Sequence, residues 1–178
     1  MKLKTIISLI PEKPVNDIIE FTKKYEININ HFKVSAWKET NSINEEQMNQ
    51  ILELLIDSRN SPIYIHCLDG GNVTSQVIMC LRKLQNYDMK SIFDEAKKYT
   101  EKISDDEKNF LKNYKGTIKV VEEENIQSWL YEPWWKSNSE MVHPTFNLIY
   151  SYKRKQKKEK IEKKVKKKYK ILKSKKSI

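Results

Sequence analysis

The sequence predicts an α/β domain built on a mostly parallel sheet flanked by helices, followed by a basic C-terminal extension. Two patterns carry the fold class. Short unbroken apolar runs at residues 5–10 and 62–66 suit strands covered on both faces. Apolar residues elsewhere recur at helical spacing, and strands that alternate with helices pair in parallel. The extension is set apart by charge. The chain has 178 residues and a net charge of +10. Residues 153–176 hold 15 Lys or Arg against two Glu, a charge of +13, which leaves −3 on the remainder. The folded part is near neutral, and the basicity belongs to a tail.

In chain order, residues 5–10 form the first strand. Pro14 suits the first turn of a helix, where its missing N–H leaves no bond unmade. Val15, Ile18, Ile19 and Thr22 then share one helical face. Residues 27–34 alternate, with Ile27, Ile29 and His31 on one side and Asn28, Asn30 and Phe32 on the other, as a strand requires. Residues 35–42 are a loop. Asn44 is an N-cap for a helix that turns Met48, Ile51, Leu52, Leu55 and Ile56 inward. Residues 62–66 are the central strand. A helix over residues 74–87 carries the stripe Val77, Ile78, Leu81 and Leu84, with Cys80 beside it in the core. Shorter helices follow over residues 91–99 and 104–114, the second opened by the capping box Ser104-Asp105-Asp106-Glu107.

These elements place one domain at residues 1–114, long enough to bury a core. From Lys115 the periodicity weakens. Residues 115–150 are an aromatic-rich segment with Trp129, Tyr131, Trp134 and Trp135 around Pro133. Its reading as an apolar segment pinned on the domain surface ranks ahead of a stacking platform for bases. Residues 151–178 are the Lys-rich tail. Two cysteines give no disulfide framework, which points to a reducing, cytoplasmic setting, with nuclear entry through the basic tail as the alternative. No stretch approaches the roughly 18 apolar residues that would span a bilayer.

Residues 66–75 read His-Cys-Leu-Asp-Gly-Gly-Asn-Val-Thr-Ser and hold two of the three glycines and one of the two cysteines. A strand, a Cys opening a glycine turn, and then an amphipathic helix is the layout of a cysteine phosphatase loop. There, backbone N–H groups and the helix N-terminus surround a phosphate beside a thiolate. The pattern requires Arg six residues after the Cys, and Val73 stands there. Arg59 precedes the strand and Arg82 lies more than two helical turns further on, so neither substitutes by position. The loop residues are therefore His66, Cys67, Leu68, Asp69, Gly70, Gly71, Asn72 and Val73, with Thr74 closing it. Asp69 adds a carboxylate that would repel an incoming phosphate. His31 and His143 lack partners at metal-ligand spacing, so neither a metal nor another cofactor is called for.

The runs Leu3-Lys4-Thr5-Ile6-Ile7-Ser8-Leu9, Lys38-Glu39, Ile63-Tyr64-Ile65-His66-Cys67, Cys80-Leu81-Arg82-Lys83-Leu84-Gln85 and Ser91-Ile92-Phe93-Asp94-Glu95 carry a further signal. On them the chain resembles the plant and fungal atypical dual-specificity (tyrosine) phosphatase-like family. It looks most like the fungal paralogues linked to oxidant-induced cell-cycle arrest. The resemblance covers about residues 3–114, and the tryptophans from Trp129 to Trp135 are similar to the family's C-terminal aromatic segment. It implies the dual-specificity phosphatase fold and a Cys67 nucleophile that forms a cysteinyl-phosphate, which water then hydrolyses. It also implies that Thr74 hydrogen-bonds the thiolate. His66 would bond the loop backbone to keep its shape, and Glu39 is the candidate general acid, since no Asp lies between Asp17 and Asp57. Gly71 and Asn72 stand where active relatives carry basic residues. The family has a strand-bearing stretch ahead of the match to Leu3. The resemblance thus implies either a sequence that begins late or a sheet edge open to a partner.

Losing a single oxyanion donor costs ~10²–10³ in rate, and a bidentate cation more. The first expectation is accordingly a pseudophosphatase acting by binding, with an active phosphatase paralogue or a phosphorylated ligand as partner. The alternative is a slow phosphatase of phosphotyrosine proteins or inositol pyrophosphates working through Cys67. The tail adds a third expectation, nucleic acid or anionic membrane, against a simply solvated, compositionally biased segment. A redox role for Cys67 ranks last, since no resolving Cys is identifiable.

Overall fold

The computed structural model describes residues 2–35, 43–120, 125–130 and 147–150. Three parallel strands, β1 (Thr5–Ser8), β2 (Asn28–His31) and β3 (Ile63–His66), form a sheet in the order β2-β1-β3. Thr5 stands beside both Asn28 and Ile63, and Ser8 beside both His31 and His66. Helix α1 (Asn16–Lys24) links β1 to β2, and α2 (Glu45–Ile56) links β2 to β3. Beyond β3 come α3 (Asn72–Leu84), α4 (Met89–Ala96) and α5 (Asp105–Asn113). A second parallel pair, β4 (Thr117–Val120) and β5 (Asn147–Tyr150), follows. The predicted parallel α/β architecture is the one observed.

Alternation along β1 decides what the sheet faces. Ile7 and Leu9 are fully buried in the core formed by α2 and α3. On α2, all five predicted apolar residues from Met48 to Ile56 are buried, each contributing roughly 1.5–3 kcal/mol. Asn44 caps this helix as expected, accepting from Gln47 N–H at 2.8 Å while the Gln47 side chain returns to the Asn44 N–H. Such a cap is worth about 1 kcal/mol. Ser104 and Glu107 form the predicted capping box of α5.

The other face is less covered than the sequence suggests. Ile6, Ile29 and Tyr64 lie side by side there, with Tyr64 54% exposed. In α1 only Thr22 of the predicted face is buried, whereas Val15 and Ile18 are exposed. They rim a cleft of about 630 Å³ over Ile6, Ile29 and Tyr64. The reason is topological: α1 packs against β2, at one side of a three-stranded sheet. Among the described residues no strand pairs with the outer edge of β3.

The core continues past the expected domain end at residue 114. Ile118, Ile126 and Leu130 are buried with the central cluster, and β4 packs on α2. Gln127 N–H donates to the Ile56 carbonyl at 2.9 Å, and its side chain bonds Ser61. These residues are core and not surface, because α2 presents apolar side chains beyond those the sheet can cover. Trp129 is itself exposed in a 3-10 turn. Tyr131, Pro133, Trp134, Trp135 and the Lys-rich tail lie outside the described residues.

Candidate active site

The sequence from β3 into α3 builds the site. β3 delivers Cys67 at the carboxyl end of a parallel strand, the end at which open α/β sheets place their ligand sites. The chain then turns through Gly70 at φ 74°, a left-handed conformation that side chains with a Cβ resist. Helix α3 begins at Asn72, so its unpaired N–H groups point back into the turn.

The loop contacts converge on two side chains. Gly70 N–H donates to Cys67 Sγ at 3.2 Å. Cys67 Sγ donates to Asp69 Oδ1 at 3.3 Å. The same Oδ1 accepts from Gly71 N–H at 2.9 Å and from Asn72 N–H at 3.3 Å, while Asn72 Nδ2 donates to Oδ2 at 2.9 Å. Burial pushes the Asp69 carboxyl up, but the hydrogen bonds from Gly71, Cys67 and Asn72 outweigh it and hold it below the usual range. Asp69 is therefore a carboxylate at neutral pH.

Other residues sit where the sequence did not anticipate. Thr74 Oγ1 is buried without a hydrogen-bond partner, so the expected bond to the Cys67 sulfur is not made. The His66 ring stacks on Tyr64 at 5.5 Å, on the exposed face of the sheet, and makes no side-chain hydrogen bond to the loop backbone. Leu68 is 72% exposed. Val73 is partly buried against the core, which an apolar side chain on the first turn of α3 achieves and a guanidinium would not. Glu39 and its Lys38 neighbour lie outside the described residues, as does His143. His31 Nε2 lies 2.9 Å from the Ile10 carbonyl oxygen. Among the described residues no group of three or more His, Cys, Asp or Glu could hold a metal ion.

A cavity of about 300 Å³ opens beside the loop, between α3 and α4, bounded by Gly70, Thr74, Ser75, Arg82, Glu95 and Tyr99 among others. Tyr99 and Thr100 are the residues that sequence reasoning missed. Thr100 Oγ1 approaches Asn72 Oδ1 at 3.4 Å, and the Tyr99 carbonyl backs Gly71. No local pattern announces them, because their place depends on how α4 packs on α3. Arg82, which lines this cavity, is engaged by Glu95, with Nε–Oε2 at 2.7 Å and Nη2–Oε1 at 2.8 Å. Arg59 forks onto Asp57. Cys80 is fully buried, and burial pushes its thiol well up.

A parallel strand that ends in a cysteine turn against a helix N-terminus belongs to a cysteine-phosphatase fold. The chain belongs to the tyrosine phosphatase family, whose model matches residues 1–133. It is 36% identical over 96 residues to the inositol diphosphatase DSP2 of Oryza sativa, an overlap of 53% of this chain and 47% of that protein. It is 32% identical over 118 residues to the putative tyrosine-protein phosphatase OCA1 of Scheffersomyces stipitis, covering 56% of this chain and 54% of the relative. The chain thus spans about half the length of these curated relatives. The crystal structure of the core catalytic domain of the PP-IP phosphatase SIW14 from S. cerevisiae, in complex with citrate, superposes with a TM-score of 0.57. That match has 32% identity and covers 64% of this chain and 68% of that one. Among the described residues no helix is long and apolar enough to cross a membrane.

Proposed function

We propose that this chain is a phosphatase-like protein that acts by binding, with turnover lost or strongly impaired. One observation carries the reading: Val73 stands six residues after Cys67, where the family's loop needs an arginine. A guanidinium there would grip two phosphate oxygens and match the charge that builds in the transition state. Both arginines in the described part of the domain are engaged with carboxylates, Arg59 with Asp57 and Arg82 with Glu95. The partner is an active phosphatase paralogue or a phosphorylated ligand. The tail's +13 adds electrostatic attraction for nucleic acid or anionic membrane.

A second reading is favoured by the retained sulfur geometry, with Gly70 N–H on Cys67 Sγ. In it, the Cys67 thiol gives up its proton and its sulfur attacks phosphorus. The P–O bond breaks and the leaving oxygen takes up a proton, and water then cleaves the P–S bond to release phosphate and free thiol. Substrates would be phosphotyrosine proteins or, as in the relatives named inositol diphosphatases, inositol pyrophosphates. The deciding experiment assays native protein, Cys67→Ser and Val73→Arg on aryl phosphate, phosphotyrosine peptide and inositol pyrophosphate. Native turnover at the Cys67→Ser background supports the binding reading; native turnover well above it overturns it.

A further inference from the structure

We propose that the Asp69 carboxylate is an internal occupant of the loop's anion seat, so that an external oxyanion reaches Cys67 only when Asp69 swings out. The inference rests on reading residues 66–74 as the family's anion loop, and it goes beyond the missing arginine. Removing a cation weakens the grip on phosphate; placing a carboxylate in the cradle blocks it.

Both Asp69 oxygens are engaged at the N-terminus of α3. Oδ1 takes the N–H groups of Gly71 and Asn72 and the thiol of Cys67, and Oδ2 takes the Asn72 side chain. The remaining glycine amide, Gly70 N–H, is on the sulfur. An incoming phosphate would therefore find the Gly70, Gly71 and Asn72 amides already in use, and a negative charge within hydrogen-bond distance of the sulfur it must approach. Tethering makes the competitor strong. A side chain two residues from Cys67 is present at an effective concentration of at least the millimolar order, so a ligand of equal intrinsic affinity free at micromolar levels does not displace it by mass action. The turn allows release: Gly70 has open space around it, and Asp69 stands on an exposed stretch of chain.

The test reads Cys67 directly and does not depend on turnover, so its failure is distinct from failure of the binding reading. Cys67 of the full chain is alkylated with iodoacetate, an anion, and with neutral iodoacetamide, and the ratio of the two rates is taken. Both cysteines are buried, Cys67 at 9% exposure and Cys80 at 0%, so the fully enclosed Cys80 contributes the less, and the ratio cancels changes in intrinsic thiol reactivity. Asp69→Asn and Asp69→Ala should each raise the iodoacetate-to-iodoacetamide ratio about tenfold or more, a change equivalent to ~1.4 kcal/mol. Inorganic tungstate should slow iodoacetamide alkylation of the variants at concentrations that leave the native rate unchanged. Should Asp69→Ala fail to fold by circular dichroism, the near-isosteric Asp69→Asn carries the test alone. An unchanged ratio in the folded variant overturns the proposal. So does equal tungstate protection of native protein, or a matching rise in Asp94→Asn, a surface carboxylate on α4.

Discussion

Arg82 on α3 and Glu95 on α4 form a two-bond clamp across the cavity beside the cysteine loop, at 2.7 and 2.8 Å. Arg82 also donates to Gln85 Oε1 at 2.8 Å and lies over the Tyr87 ring. The clamp closes one wall of the cavity and holds the guanidinium that lines it on a carboxylate.

The clamp makes stability pH-dependent. The Arg82 hydrogen bond holds the Glu95 carboxyl below its usual range, against the opposing effect of burial. A depressed carboxyl stabilises the fold above its ordinary value, 4.5, and that contribution fades as pH falls below it. For a partly exposed pair the contribution is about 1 kcal/mol. Glu95→Gln should lower the urea midpoint at pH 7 by that equivalent, and the gap to native protein should narrow as the pH falls below 4.5. A gap independent of pH would refute the assignment.

Restoring the cation should not be sufficient for catalysis. With Asp69 still on the Gly71 and Asn72 amides, Val73→Arg alone should gain less aryl phosphatase activity than the double variant Val73→Arg/Asp69→Asn. Over native protein the double variant should gain ~10² or more. A single variant as active as the double one would show that Asp69 does not compete with substrate.

Lys83 is a buried ammonium with a structural task. Its Nζ donates to the carbonyl oxygens of Leu111, Lys112 and Tyr114, closing the C-terminal end of α5 from the neighbouring α3. Lys83→Met keeps the stem and leaves those carbonyls unpaired, at a cost of ~2–4 kcal/mol. Equilibrium urea unfolding measures it. A loss under 1 kcal/mol would mean that water replaces the ammonium.

Gly116 has no room for a side chain. A Cβ there would collide with the Tyr114 ring and with Asn49 Oδ1, the acceptor of the Tyr114 hydroxyl. Gly116→Ala should destabilise the protein by ~2 kcal/mol through overpacking, seen as a lower thermal midpoint. The companion variant Gly116→Ala/Tyr114→Phe should recover part of the loss.

How much was legible in the sequence depended on the range of the interaction. The Asn44 and Ser104 caps were readable because donor and acceptor lie three residues apart. The inward face of α2 was readable because one period repeats over three turns. The exposure of Val15 and Ile18 was not, since a periodic stripe says that a helix has an apolar face without saying what covers it. Likewise, Ile118, Ile126 and Leu130 joined the core, although the periodicity around them is weak.

In the cysteine loop itself, the sequence alone determined the strand, the cysteine, the glycine turn, the helix and the missing arginine at Val73. All are matters of residue type at fixed spacing. Tertiary structure decided that Asp69 turns inward onto the helix amides, that the Thr74 hydroxyl makes no bond to the sulfur, and that Arg82 is held by Glu95 thirteen residues away. Those outcomes depend on side-chain direction and on which helix faces meet, and a linear pattern specifies neither.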